Sequence, residues 1–427
     1  MTALLERSLT VFKEHVDATV AAFFSSCVRC GICAHSCLFY TETKAVEYTP
    51  IYRLEPMRRI WFQEYTVLGR ILKTLKLSPP ISHEELSEWE PLIYDSCTLC
   101  GRCSMVCPVG NDIVTMIRKM REGMAAAGHA PKGLVDATHR AVKTGSPMGV
   151  RLQALQHQLE HVEQELGFKI PVDVQGAEYM LLMSSMEIMN FPEFIRAVAR
   201  LFKYADLSWT IASNAFEATN SGVQVGVSDI AAELVERVVN AAEALKVKTV
   251  IGPECGHAYM ALRWEGPNLI GRPYRFKVLH ITELLDQLRE ARKLRTHSRD
   301  VRSLTYHDPC QLSRRGGVTK PPRRLLNMIC NDFVELPDNG VMNWCCGAGG
   351  GVSTNERADQ LRLQVFTRKK QQLEAIKPDA VITSCSTCRM ALEEALDEYD
   401  MEMPVLSLVE TLAEHLLEKK PNHSEIN

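Results

Sequence analysis

Residues 345–351 read Cys-Cys-Gly-Ala-Gly-Gly-Gly, and a further cysteine motif lies on each side of this stretch. The chain reads His-Asp-Pro-Cys at 307–310 and Cys-Ser-Thr-Cys at 385–388. Three segments therefore present five thiols: Cys310, Cys345, Cys346, Cys385 and Cys388. Thiolates are soft ligands that select zinc, copper(I) or iron–sulfur clusters. Adjacent cysteines reach one tetrahedral ion only with strain, but they can bind two irons, so the vicinal pair favours a multinuclear cluster over a single zinc ion.

The sequence around these motifs predicts an α/β fold. Apolar runs at 303–306 and 380–383 read as buried strands, and residues 357–373 and 390–396 read as helices. Strands that alternate with helices indicate a layered α/β region, in which sites gather at the carboxyl ends of the strands. Gly347 would let the backbone approach a cluster, because it carries no side chain.

An upstream segment has a sequence pattern similar to that of this region. Val-Ile at 250–251 precedes Cys255 as Val-Ile at 381–382 precedes Cys385, and Met-Ala-Leu follows both cysteines. We interpret residues 170–300 as a degenerate first repeat and residues 301–427 as the second. The first repeat keeps one of the five thiols, which predicts a scaffold without its metal. A chance likeness between two strand–loop–helix units is the alternative.

Cys255 stands close to His257 in the sequence Glu-Cys-Gly-His. A neighbouring imidazolium lowers the pKa of a thiol, which would make Cys255 a reactive thiolate. We therefore predict Cys255 and His257 as catalytic residues, with a buried inert cysteine as the alternative.

The amino-terminal third carries one spacing twice. Cysteines stand at 27, 30, 33 and 37, and again at 97, 100, 103 and 107, where Pro108 follows. This is the bacterial ferredoxin pattern for two [4Fe-4S] cubanes, in which the fourth cysteine of each run ligates the other cluster. The expected ligand sets are Cys27, Cys30, Cys33 and Cys107 for the first cluster, and Cys97, Cys100, Cys103 and Cys37 for the second. Gly31 and Gly101 would bring the backbone close to sulfide. A pair of zinc sites is the alternative.

Helices are expected around these runs, so residues 1–150 are predicted to be a helical ferredoxin domain. Residues 53–77 read as one helix, and another is expected after Asn111 as its N-cap. The apolar residues of the first 24 positions have near-helical spacing. That helix either packs on its own domain or lies on a membrane or a partner. A further amphipathic helix is predicted at 151–166, closed by Gly167.

Composition excludes several classes of protein. A net charge of −3 over 427 residues gives no basic footprint for nucleic acid. The 15 cysteines form tight groups without a signal peptide, which favours metal in a reducing compartment. We expect a cytoplasmic chain, or one peripheral on the cytoplasmic face of a membrane. Cys330 matches no motif and is expected in the core, and four arginines at 314, 315, 323 and 324 are expected on a solvated or partner-docking face.

Taken together, these motifs resemble the heterodisulfide-reductase-like iron–sulfur proteins, in which a ferredoxin domain is fused to cysteine-rich CCG domains. The layout is most similar to the fused HdrD and DsrK type, with the Hdr-like sulfur-oxidation complex as a related case. The resemblance covers residues from about 20 to 412. It implies that the five CCG cysteines hold a noncubane [4Fe-4S] cluster. In the family two such clusters split a disulfide together, but the first repeat here keeps only Cys255, which implies a single noncubane cluster beside two cubanes.

The expected function is that of an iron–sulfur subunit in a sulfur-metabolism redox complex. Electrons would pass through the cubanes to or from the noncubane cluster, which would reduce or oxidise a disulfide, persulfide or trisulfide. The alternative is a pure electron conduit, and a zinc-stabilised interaction module is a third class. A membrane quinone or haem subunit, a flavoprotein or a soluble sulfur carrier is the expected partner.

Overall fold

The structure is a computed structural model, and it describes residues 2–296 and 300–417. The chain forms two compact units, and each combines segments that lie far apart in the sequence. The first unit takes the chain up to Val142, with Asn220–Glu233 and Trp344–Gln371. The second takes Lys143–Thr219, Leu234–Asn343 and the chain from Gln372 onward. The ranges 1–150, 170–300 and 301–427 remain a prediction about sequence repeats rather than a description of these units.

The amino-terminal part of the chain is built from helices. They are α1 (Thr2–Glu14), α2 (Ala18–Ser26), α3 (Ile32–His35), α4 (Leu38–Thr43), α5 (Glu55–Tyr65), α6 (Val67–Thr74), α7 (His83–Tyr94), α8 (Arg102–Met105), α9 (Ile113–Ala126) and α10 (Lys132–Thr144). Two 3-10 turns, Val46–Tyr48 and Tyr52–Leu54, precede α5.

Two details of the predicted helices are wrong. The single helix expected at 53–77 is broken at Thr66, whose backbone is extended and whose hydroxyl accepts a hydrogen bond from the Gly69 N–H at 3.0 Å. Thr66 thus ends α5 and caps α6. The N-cap of α9 is Asp112 and not Asn111, because the Asp112 carboxylate accepts from the backbone N–H groups of Val114 and Thr115.

The first helix packs on its own unit, which was the first of the two alternatives predicted from the sequence. Phe12 is fully buried, and a Cβ added to Gly123 of α9 would lie 2.2 Å from the Phe12 ring. Leu5, Leu9 and Val16 pack against the same core. The apolar face of α1 is therefore covered by protein.

The second unit contains two parallel four-stranded sheets. Their strands are β1 (Tyr179–Leu181), β2 (Trp209–Thr210), β3 (Thr249–Gly252), β4 (Lys277–His280), β5 (Asp300–His307), β6 (Cys330–Phe333), β7 (Ala380–Thr383) and β8 (Val405–Ser407). The strand orders are β2-β1-β3-β4 and β6-β5-β7-β8, so the same topology occurs twice along the chain. Register is set by pairs such as Met180 with Val250 and Thr305 with Val381. The predicted α/β architecture with two pseudo-repeats is confirmed, as are the strands predicted within β5 and at β7.

Helices connect these strands. They are α11 (Leu152–Leu166), α12 (Ser185–Met189), α13 (Glu193–Tyr204), α14 (Ser221–Val225), α15 (Ser228–Ala244), α16 (Gly256–Met260), α17 (Gly266–Leu269), α18 (Ile281–Glu290), α19 (Lys320–Ile329), α20 (Asp359–Ile376), α21 (Ser386–Glu398) and α22 (Leu408–Glu414). Short turns lie at Ala261–Glu265, Gln311–Arg315, Gly340–Met342, Val352–Thr354 and Glu356–Ala358. The helix predicted at 151–166 is confirmed, with Gly167 in the left-handed conformation at its end.

One apolar core lies against both sheets of the second unit. Ile251 of β3 and Ile382 of β7 belong to it, together with Phe194 and Phe202 of α13 and Leu412 of α22. Because β3 and β7 meet the same core, the loops at their carboxyl ends lie together. Among the helices that the structure describes, none has the length and apolarity to cross a bilayer.

Candidate metal centres

The two ferredoxin-type cysteine runs have the same backbone conformation. In the first run Arg29 and Gly31 have positive φ angles of 55° and 79°, and in the second run Leu99 and Gly101 have angles of 55° and 79°. Gly31 then starts α3, and Gly101 starts α8. A Cβ added to Gly31 would meet nothing within 4 Å. Glycine at this position is therefore favoured by the left-handed backbone and not by a lack of space.

Four thiols line one pocket in the first unit: Cys27, Cys30, Cys33 and Cys107. Three come from the first run and the fourth from the second, which is the crossed set that the sequence pattern predicts. Apolar side chains such as Phe23, Ile51 and Ile113 complete the wall. Burial, together with the charges of the three other thiols, raises the pKa of Cys33 to about 11. Four thiolates in one pocket require a cationic group between them, so these residues fit an iron–sulfur cluster.

The second group of four thiols lies deeper in the same unit. Burial raises the pKa of Cys103 well above its ordinary value, and Cys100, Cys37 and Cys97 raise it as well. Cys37 comes from the first run, so this set is crossed too. The chemistry of the donor set again fits a cluster of thiolate-bound irons.

Arg53 is buried beside this second group, a role that the sequence analysis missed. Its Nη1 lies 3.5 Å from the Sγ of Cys37, and its Nε donates to the Ser96 hydroxyl at 3.2 Å. Its Nη2 is buried without a hydrogen-bond partner among the described residues. Burial lowers the pKa of this guanidinium, but the thiolates of Cys37 and Cys97 outweigh burial, so the pKa is raised overall. A buried cation with a spare donor is a further sign that an anionic group belongs here.

Arg121 fixes the backbone of the second cysteine run. Its side chain is fully buried and donates to the carbonyl oxygens of Cys97 (2.7 Å), Ile93 (3.1 Å) and Gly350 (2.5 Å). Only the spacing of apolar residues in α9 was visible in the sequence, and that pattern does not reveal a buried arginine.

The vicinal pair Cys345–Cys346 belongs to the same compact unit as the ferredoxin-type runs. Trp344 precedes the pair, and the guanidinium of Arg102 lies 3.5 Å from the centre of its ring. Arg102 stands between Gly101 and Cys103, inside the second run. The glycine-rich segment behind the pair contacts the same run, because a Cβ on Gly350 would lie 2.7 Å from the backbone of Thr98.

Both cysteines of the pair are buried, and a glycine turn shapes the chain after them. The N–H of Gly347 donates to the Sγ of Cys345 at 3.4 Å, and Gly347 has a φ angle of 93°. The predicted role of Gly347 stays a prediction, but its conformation is one that glycine adopts readily.

The other three cysteines of the CCG pattern belong to the second unit, where they follow strands. Cys310 comes after β5, while Cys385 and Cys388 lie at the start of α21 after β7. A hydrogen bond from Cys388 lowers the pKa of Cys385 to about 7 despite burial, and backbone N–H groups, including that of Gly256, add to this effect. A thiolate at Cys385 is thus stabilised near neutral pH.

Asp308 anchors the Cys310 loop. Arg323 donates to both carboxylate oxygens of Asp308 at 2.8 Å, and the N–H of Gly340 donates at 2.7 Å. Arg314 is buried and donates to the carbonyl oxygens of Val341 and Asn343. The expected solvated or partner-docking face is therefore wrong for Arg314, which is buried, whereas Arg324 is exposed as expected and pairs with Asp286.

Cys255 of the first repeat lies against the Cys385 loop of the second. The Ser386 N–H donates to the carbonyl oxygen of Glu254 at 2.8 Å, and the Gly256 N–H acts on the Cys385 sulfur. Gly256 also contacts the Cys310 loop, since a Cβ there would lie 2.8 Å from the Leu312 nitrogen. The degenerate repeat thus packs against two cysteine loops of the intact one.

The pKa of Cys255 is shifted in the direction opposite to that expected from the neighbouring His257. Burial raises the pKa of this thiol, and the charge of Cys385 raises it further, while the backbone N–H groups of Ala258 and His257 lower it. Cys255 accepts a hydrogen bond from the Ala258 N–H at 3.4 Å and caps α16. This upward pKa shift favours the protonated form of the thiol. The catalytic roles of Cys255 and His257 remain predictions. Cys330 is buried in the core, as expected.

Two buried carboxyl groups lie behind the Cys385 loop, and the sequence analysis missed both. Glu187 accepts from the Glu254 N–H at 3.0 Å and from the Ser386 hydroxyl at 3.2 Å, and burial raises its pKa to about 8. Glu254 accepts from the Ser407 hydroxyl at 2.5 Å, and burial raises its pKa as well. Together with Cys385 these groups line one small pocket. The two residues lie far apart in the sequence and neither belongs to a recognised motif, so the sequence contained no indication of them.

Comparisons with known proteins agree with this organisation. The family model of a 4Fe-4S dicluster domain matches residues 24–111, and that of a cysteine-rich CCG domain matches residues 304–393. The chain is 25% identical to the Hdr-like menaquinol oxidoreductase iron-sulfur subunit 2 of Archaeoglobus fulgidus, over 90% of this chain and 78% of that protein.

Two further relatives widen the comparison. A subunit of the dihydromethanophenazine:CoB–CoM heterodisulfide reductase of Methanosarcina barkeri is 25% identical over 97% of this chain and 99% of its own length. The EtfAB:quinone oxidoreductase of Syntrophomonas wolfei is 24% identical over 88% of this chain and 56% of its own. The chain thus contains a 4Fe-4S dicluster domain and a cysteine-rich CCG domain, and over most of its length it is similar to iron–sulfur subunits of heterodisulfide-reductase-like oxidoreductases.

Proposed function

We propose that this chain passes electrons through two [4Fe-4S] cubanes to or from a noncubane [4Fe-4S] cluster, as a subunit of a sulfur-metabolism redox complex. The noncubane cluster is assigned to the five cysteines of the CCG motif, Cys310, Cys345, Cys346, Cys385 and Cys388. Its substrate would be a disulfide, persulfide or trisulfide. The observation that carries this proposal is the contact of Arg102 with Trp344, because it joins the second ferredoxin-type run to the segment that presents the vicinal cysteines.

When bound, such clusters accept and release single electrons. The chain's own residues would set how they do so. Cys27, Cys30, Cys33 and Cys107 would hold the first cubane at a pocket where Cys30 is exposed. The second set, with Cys37, is more deeply placed, and Arg53 supplies a buried positive charge. This arrangement favours entry or exit of electrons at the first cluster and passage inward to the second.

Sulfur chemistry also requires protons, because cleaving a disulfide to two thiols consumes two electrons and two protons. The upward pKa shift of Cys255 favours its protonated form, and its loop contacts the Cys385 loop. Glu187, with its pKa of about 8, lines the pocket behind the same loop. These groups are suited to hold protons close to the cluster assigned to the CCG cysteines.

The expected partners are the other subunits of a redox complex. Relatives are named as a menaquinol oxidoreductase subunit and a quinone oxidoreductase, which supports a membrane quinone or haem subunit as one partner. A flavoprotein or a soluble sulfur carrier is the other type. The proposed location is the cytoplasm, with peripheral attachment to the cytoplasmic face of a membrane as the second form of this proposal.

A pure electron conduit is the second candidate function, favoured by the quinone-oxidoreductase names of these relatives. The anaerobically purified holoprotein, reduced with dithionite, separates the two. Candidate disulfides and trisulfides are added, and loss of oxidised substrate is measured against reoxidation of the clusters. Substrate-dependent reoxidation with thiol formation supports sulfur chemistry. Reoxidation by a quinone analogue, with every sulfur compound left intact, supports a conduit.

A further inference from the structure

Residues 67–77 form an exposed apolar surface in the first unit, which we name the 67–77 surface. Five large apolar side chains here are between 50 and 79% exposed: Val67, Leu68, Ile71, Leu75 and Leu77. Neighbouring helices of this unit bury their apolar faces, as Phe12 of α1 and Met116 of α9 do. This surface is therefore apolar without cover from the part of the chain that the structure describes.

Close packing on the inner side of α6 leaves this surface exposed to solvent. Gly69 is the buried residue of α6, and a Cβ there would lie 1.9 Å from the carbonyl oxygen of Phe62. The Thr66 hydroxyl, which accepts from the Gly69 N–H, fixes the turn between α5 and α6. With Gly69 against α5, the side chains of Leu68 and Ile71 in α6 are exposed.

The charged side chains within this surface are all basic. Arg70, Lys73 and Lys76 are exposed and lie between the apolar residues, and positions 65–83 contain no aspartate or glutamate. Glu64 precedes the segment and accepts from Lys73 at 2.5 Å, but it also pairs with Lys13 at 3.4 Å. A chain with a net charge of −3 thus presents a local positive excess at this exposed apolar surface.

We propose that the 67–77 surface docks on an anionic lipid bilayer. Leucine and isoleucine side chains would enter the boundary between headgroups and acyl chains, and the three cations would meet the anionic headgroups. A bilayer fits better than an acidic protein partner because the apolar and basic residues alternate along one short helix and its exit, as they do in interfacial helices. The proposal rests on the peripheral location given in the proposed function. It places the membrane contact on α6 and its exit instead of on the first helix.

Vesicle binding tests this directly. The anaerobic holoprotein is mixed with vesicles of phosphatidylcholine alone, or with added phosphatidylglycerol, and the bound fraction is measured by flotation. We expect binding to the anionic vesicles, weaker binding at high salt, and a loss of at least about tenfold in affinity for the double variant Leu68→Ser with Ile71→Ser. Both side chains are exposed, so their replacement leaves the core intact.

A matched control removes exposed apolar side chains elsewhere. Val301 and Met189 are 92 and 55% exposed and belong to the other unit, and the variant Val301→Ser with Met189→Ser should bind as the native chain does. A third variant, Arg70→Gln with Lys76→Gln, should lose most of the salt-sensitive part of the binding.

Two results would overturn the proposal. One is the absence of binding to phosphatidylglycerol vesicles at low salt, which includes the case in which a protein partner covers this surface. The other is equal binding by the native chain and the Leu68→Ser, Ile71→Ser variant. Iron and sulfide are counted in every sample. Native cluster content without vesicle binding refutes the lipid contact alone and leaves the electron-transfer proposal standing.

Discussion

The Nη1 of Arg53 lies 3.5 Å from the Sγ of Cys37, and both side chains are buried. Reduction adds a negative charge to a cluster, and a nearby buried cation stabilises that charge. We expect Arg53→Gln to lower the reduction potential of the cluster at Cys37, Cys97, Cys100 and Cys103 by on the order of 100 mV, with Arg53→Lys in between. A redox titration followed by electron paramagnetic resonance measures it.

Arg29 provides the matched control for this prediction. It lies at the pocket of the first cluster, but its side chain is 55% exposed and its Nη2 is 3.5 Å from Glu55. Solvent screens an exposed charge, so Arg29→Gln should change the potential of the first cluster only slightly. If both variants shifted the potentials equally, burial of the Arg53 charge would not explain the effect.

The crossed ligand sets give a prediction about iron content. Cys107 belongs to the second run by sequence but lines the pocket of Cys27, Cys30 and Cys33. Cys107→Ser should therefore remove the signal of the first cubane and spare the second. Iron and sulfide analysis with resonance spectra checks this, and Cys330→Ser, a buried thiol outside every motif, is the control that should keep full iron content. Loss of the second cubane instead would show that the sets are not crossed.

Two glycine substitutions should differ in cost. Gly31→Ala strains the backbone at a φ of 79° but meets no atom within 4 Å, so about 1–2 kcal/mol of destabilisation is expected. Gly350→Ala has the same backbone strain at a φ of 66° and also brings a Cβ to 2.7 Å from the Thr98 backbone. This clash should make Gly350→Ala clearly more destabilising than Gly31→Ala. Thermal unfolding of the holoproteins compares the two. Similar melting temperatures would mean that the glycine-rich segment does not pack on the second cysteine run.

The pKa shift of Cys255 predicts how it reacts. Because burial raises its pKa, the thiol stays protonated at neutral pH, and its alkylation by iodoacetamide should be slow at pH 7 and accelerate only in strongly alkaline solution. Peptide mapping after timed alkylation measures the rate. Fast labelling at pH 7 would restore the thiolate expected from the sequence. In turnover with a sulfur substrate, Cys255→Ala should lower the rate while both cubanes remain reducible.

Structural features that depend on the spacing of residues along the chain could be predicted from the sequence. The two ferredoxin-type runs, the strands before Cys255 and Cys385 and the α/β repeat all follow from local pattern, and the structure contains them. The sequence could not show Arg53 beside Cys37 or Trp344 beneath Arg102, because these contacts join residues that are separated along the chain. A buried arginine and an exposed one look alike in a sequence, which is also why the buried Arg314 was expected at the surface.

The central claim is that electrons from the cubanes reach a third cluster, at Cys310, Cys345, Cys346, Cys385 and Cys388, where sulfur is reduced or oxidised. The most direct measurement is electron paramagnetic resonance of the reduced holoprotein during oxidation by disulfide and trisulfide substrates. If the third cluster takes part, we expect a new signal distinct from those of both cubanes. This signal should be lost in Cys388→Ser, while the cubane signals persist. Reoxidation of the cubanes without any new signal, or a new signal that survives in Cys388→Ser, would contradict the central claim.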